Sequence, residues 1–153
     1  MKNFSLLLIS ILFFILSGCN SSKSAVEHEV RSCPECNMKL ADSNKHSATI
    51  TTGSNIEYFD DIGCMVLWAK DKGLDFKDVD AKVFSNDTNN YINAFDLHYK
   101  TGEDTPMSYG FYAYQNTNEE SIDFNEVVVK MLRGEHMANP KIRKQILGLN
   151  NEQ

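Results

Sequence analysis

The chain has 153 residues, room for one medium domain or two small ones. Fifteen basic and 21 acidic residues give a net charge of −6. That balance argues against nucleic acid as a partner, because phosphate neutralisation needs a basic surface. An apolar share of 42% supports a modest core and not a membrane bundle. Sulfur is the unusual component, with four Cys and six Met in a short chain.

Lys2 precedes an apolar run from Phe4 to Leu16, broken only by Ser5 and Ser10. This run is short for a permanent membrane span and fits the core of a signal peptide. Leu16-Ser17-Gly18-Cys19 follows at once and resembles a bacterial lipobox, in which the Cys becomes the lipidated first residue of the mature protein. Residues 1–18 therefore read as a lipoprotein signal peptide. Residues 19–30 read as a lipidated tether, polar and rich in Ser. The expected location is extracytoplasmic, with acyl chains on Cys19 holding a soluble domain to membrane lipid. Asn20 after Cys19 is compatible with outer-membrane sorting, facing the periplasm, in a Gram-negative cell.

The remainder predicts an α+β fold. A strand within His46–Thr52 is followed by a turn at Gly53 and a second strand, Ile56–Phe59. Asp60 or Asp61 caps a helix carrying Ile62, Met65, Val66 and Ala69 at helical spacing, and Gly73 sits where the helix should stop. Lys82–Phe84 is a short strand, and Asn86 to Asn90 a polar break. Tyr91–Phe95, Leu97–Tyr99 and Tyr109–Gln115 are further strand candidates. Phe124, Val127, Val128, Met131 and Leu132 mark a second helix ending at Gly134, and Asn139-Pro140 starts a short last one. A shift of 63 residues lays Phe59-Asp60 over Ile122-Asp123, which suggests two related units, residues 31–88 and 89–153.

With Cys19 assigned to lipid, Cys33, Cys36 and Cys64 remain. An odd count in an oxidising compartment leaves at least one thiol free, paired between molecules or bound to metal. Cys33-Pro34-Glu35-Cys36-Asn37-Met38 offers two thiols and a thioether, a soft donor set that suits Cu(I) better than Zn2+. A structural disulfide and a redox-active pair are the alternatives, although a redox pair normally opens a helix, and Met38–Asp42 is a short run for one. Met107 lies in the polar loop before the aromatic strand. Cys64 at the start of the first helix reads either as a small buried residue beside Leu67 and Trp68 or as an additional metal ligand with a lowered thiol pKa. The histidines have no ligand spacing, and nothing resembles a nucleophile–base pair. The expectation is a metal-binding protein and not an enzyme.

Taken in order, the lipobox, Cys36-Asn37-Met38, Phe59-Asp60-Asp61-Ile62-Gly63-Cys64-Met65 and Pro106-Met107-Ser108-Tyr109-Gly110 resemble the NosL family, lipoprotein accessory factors of nitrous-oxide reductase maturation. The family motif reads Cys-Gly-Met where this chain has Asn37, a residue that also tolerates left-handed geometry. The resemblance implies two small related ββαβ units behind the tether. It implies one Cu(I) ion held by Cys36, Met38 and Met107, with Cys33 completing or replacing one of them. It also implies a copper donor protein upstream, and nitrous-oxide reductase or its assembly machinery as recipient. A general copper-sequestering lipoprotein and a Cys-x-x-Cys thiol–disulfide redox protein are the rival readings.

Overall fold

A computed structural model describes residues 31–117 and 119–149. The expected signal peptide, the lipidation site Cys19 and the tether lie outside the described residues. No helix among the described residues is long and apolar enough to cross a membrane.

The fold is α+β, as expected. Strand β1 (Ala48–Thr52) turns through Gly53-Ser54 into β2 (Asn55–Phe59), and helix α1 (Ile62–Asp71) leads on to β3 (Asp80–Phe84). Strand β4 (Tyr91–Asn93) completes an antiparallel sheet in the order β2-β1-β3-β4. A 3-10 turn, Ala94–Asp96, separates β4 from β5 (His98–Thr101), which pairs antiparallel with β6 (Phe111–Tyr114). Helices α2 (Phe124–Arg133) and α3 (Pro140–Ile146) end the described chain.

The first unit thus runs ββαβ. The second runs β5-β6-α2 and then α3, with no closing strand among the described residues. β4 pairs with β3 through Val83 and Ile92, so the first sheet takes its fourth strand from beyond residue 88. The reason is local: the Asn86–Asn90 turn is short, and closing a short loop costs little entropy.

The two helices share their terminal chemistry. Each has ten residues and an aspartate N-cap, Asp61 for α1 and Asp123 for α2. Each ends at a glycine with a paired set of closing bonds. Leu74 N–H donates to Ala69 C=O at 2.9 Å after α1, and Glu135 N–H donates to Lys130 C=O at 2.8 Å after α2. The caps correspond at a spacing of 62 residues, one less than the shift read from the sequence, because Asp61 and not Asp60 is the cap.

One apolar core joins the units. Ile50, Phe59, Ile62, Val66 and Val83 come from the first, and Tyr99, Phe111, Phe124, Val127 and Met131 from the second. Phe124 is its aromatic centre, set edge-on to Phe76 and Phe95 with ring centroids 4.9 and 5.2 Å away. α3 contributes no buried residue.

The strongest polar link between the units is the fully buried Asp61. One carboxylate oxygen accepts from Gly63 N–H at 2.9 Å, closing the cap. The other accepts from Thr105 Oγ1–H at 2.6 Å and Met107 N–H at 3.1 Å. The loop before β6 is thereby fastened to the start of α1. Gly63 lets this happen: a Cβ there would stand 2.2 Å from the ring of Tyr109. Asp61→Ala leaves three donors without their acceptor and is expected to lower stability by about 3 kcal/mol. Urea unfolding measures this, and a loss below about 1 kcal/mol would contradict the role.

Candidate metal centre

The Cys-x-x-Cys segment is a tight hairpin and does not open a helix. Cys33 N–H donates to Met38 C=O and Asn37 N–H to Cys33 C=O, both at 2.9 Å. Ser32 and Lys39 bridge the two arms in antiparallel register. The turn requires a left-handed residue, and Asn37 supplies it at φ 60.

This hairpin sets Cys33 and Cys36 against the end of β2 and the first turn of α1, where Asp60 and Cys64 stand. The three Sγ atoms and one carboxylate oxygen of Asp60 all lie within 4.8 Å of one another. The three cysteines are free. Cys33 and Cys64 are fully buried, Asp60 is 5% exposed, and Cys36 is half-buried at the mouth. Cys36 Sγ lies 3.3 Å from each oxygen of Asp60 and donates to that carboxylate. A set of three thiols and a carboxylate at this spacing is able to hold a metal ion.

The thiols differ in proton affinity. Cys33 is drawn down to about 6, first by the Cys64 thiol that donates to it and then, against burial, by the backbone N–H groups of Cys36 and Asp60. Cys64 is pushed up, first by that donor role and then by burial. Burial pushes Cys36 up to about 11, with Asp60 as acceptor of its proton adding to the rise. Of the three thiols, Cys33 gives up its proton most readily.

The sequence-based candidates fall into two groups. Cys33 and Cys36 lie in the cluster, and so does Cys64, which is also a fully buried core residue and whose thiol is pushed up, not lowered. Met38 follows two residues after Cys36 and is 45% exposed. Met107 is half-buried against the core, its backbone bonded to Asp61, the neighbour of Asp60. From sequence, Asp60 or Asp61 is placed at the cap of α1, and Asp60 is not marked as a donor. A cap uses one carboxylate, and the surplus aspartate beside a cysteine-bearing helix was the available signal. None of the described histidines joins the cluster. His46 instead packs 3.3 Å from Glu103.

Asp60 also walls a cavity of about 610 Å3. Lys39, Lys45, Tyr58 and Tyr91 line it, with the Arg31 guanidinium 4.3 Å from the centre of the Tyr58 ring.

No family model, curated protein or solved structure matches the chain. What the fold and the site define is an α+β protein with a cluster of three cysteines and an aspartate fit for a metal ion.

Cys36 is the accessible thiol and reacts only as thiolate. Its alkylation rate is expected to climb about tenfold per pH unit as far as about pH 10, where an ordinary cysteine levels above about 8.5. Peptide mapping by mass spectrometry follows this residue by residue. A plateau near the ordinary value, or faster labelling of Cys33 than of Cys36, would contradict the assignment.

Proposed function

We propose that the chain is an extracytoplasmic Cu(I) carrier, anchored to membrane lipid through Cys19, that hands copper on for maturation of the copper centres of nitrous-oxide reductase. The observation that carries the copper reading is the convergence of three free thiols at the mouth and floor of one small cage, with a thioether two residues further on. The motif order that resembles the NosL family supplies the proposed recipient.

Three thiolates suit Cu(I), which prefers sulfur and is content with two or three ligands. Thiols on a hairpin and on a helix pre-set much of this geometry, so little chain ordering accompanies binding. Release proceeds by ligand exchange. Cys36 lies at the mouth with the exposed Met38 close by in sequence, and an incoming sulfur or nitrogen from a partner meets the ion there. Cys33 and Cys64 hold the ion from below until the partner's ligands are in place. The proposed role is transfer of an ion, not of a chemical group.

The decisive measurement is titration of the reduced protein with Cu(I) against a competing chelator. The wild type is expected to take one ion. Cys36→Ser and Cys64→Ser are expected to lower the affinity by about 100-fold, and Met38→Leu by about tenfold. Binding displaces thiol protons, so affinity should fall as pH is lowered. Unchanged affinity in Cys36→Ser and Met38→Leu would refute the site, and a stable Cys33–Cys36 disulfide in protein isolated without reductant would favour a structural pair.

A further inference from the structure

We propose that Asp60 is a metal ligand of the cage, one that admits a divalent ion of the zinc class in a tetrahedral set with Cys33, Cys36 and Cys64. The inference rests on reading the cluster as a metal centre, but not on copper as its occupant.

Asp60 has no structural task that would explain its burial. The cap of α1 belongs to Asp61, and so do the bonds to the Thr105–Met107 loop. Among the described residues no cation pairs with Asp60, and the donor to its side chain is the Cys36 thiol. Metal binding removes that thiol proton. A monovalent ion held by three thiolates would then leave a carboxylate that is 5% exposed without a donor. Such a buried, unpartnered anion is strongly unfavourable.

A divalent ion resolves the conflict. The carboxylate exchanges its lost hydrogen bond for a coordination bond and becomes the fourth ligand. Three thiolates and a carboxylate carry four negative charges, of which a divalent ion neutralises two and Cu(I) one. The spacing is compatible. Bonds of about 2.3 Å in a tetrahedron separate sulfur ligands by about 3.8 Å. The donor atoms already stand within 4.8 Å of one another, so a contraction of about 1 Å at most collects them. Cu(I) gains little from a hard oxygen, whereas zinc-class ions accept carboxylate beside thiolate. Asp60 is thus the residue that separates the two ion classes at one site.

The test uses the reduced full chain, with Co2+ as the spectroscopic probe and Zn2+ and Cu(I) measured by competing chelators. Expected are the intense visible bands of tetrahedral Co2+ with thiolate charge transfer. Asp60→Asn is expected to weaken Zn2+ by about tenfold or more while Cu(I) affinity stays the same or rises. Should Asp60→Asn fail to fold, as judged by circular dichroism, Asp60→Ser is read in the same way. Octahedral Co2+ bands in the wild type, or an equal loss of both ions in a folded variant, would overturn the proposal. Tetrahedral Co2+ and tight Zn2+ without Cu(I) binding would uphold it and sink the copper reading instead.

Discussion

The architecture turns on one buried carboxylate. Asp61 lies wholly out of water, where an ion without partners would be costly, and it is tolerated because three donors converge on it. Two come from a loop more than forty residues away in sequence, and Thr105 passes the link on by accepting from Gly110 N–H at 3.1 Å. Burial nonetheless pushes the Asp61 carboxyl up, against those hydrogen bonds. The same side chain that starts α1 therefore fixes the second unit to the first. It also frees its neighbour. With the cap satisfied by Asp61, the adjacent Asp60 turns towards the cysteines.

The cluster is built from elements of unequal stiffness. Cys64 is set by the first turn of α1, in the core and next in sequence to Gly63, which packs closely on Tyr109. Asp60 is set by the end of β2 and the cap. Cys33 and Cys36 belong to a hairpin held by a few backbone bonds at the start of the described chain. A metal ion joining hairpin and helix closes a loop between residues 36 and 64, so occupancy of the site and docking of the hairpin are thermodynamically linked.

Much of the fold could be read from sequence because its signals are local. Both aspartate caps, both terminating glycines and the Asn139-Pro140 start of α3 lie within a turn of the structure they specify. Strand boundaries were less legible. The stretch Tyr91–Tyr99 reads as two strands of one unit, but it divides at the Ala94–Asp96 turn and serves two sheets. The division follows from the β3–β4 hairpin, which holds Tyr91–Asn93 on the first sheet, and the side-chain pattern of the stretch does not mark where it breaks. Half of the site was legible for the same reason. The spacing of Cys33 and Cys36 announces a bidentate pair, whereas Cys64 and Asp60 join them across more than twenty residues. Only the odd cysteine count, and the second aspartate of a pair that needs one cap, pointed to them.

The sulfur excess separates by depth. Met65, Met131 and Met137 are buried packing residues, and Met137 fills the space that a side chain at Gly110 would claim. Cys33 and Cys64 lie at the floor of the cage, Cys36 at its mouth, and Met38 in solvent. This order runs from donors that bind soft ions tightly as thiolates to a neutral thioether that binds weakly. A gradient of this kind suits transfer. In the proposed transfer, an ion approaching from solvent would meet weak donors first and exchange them for stronger ones, and a competing partner would meet it at the end where the protein's hold is least. A cage of three equally buried thiols would bind as well and release far more slowly, because every ligand would have to break before another could enter.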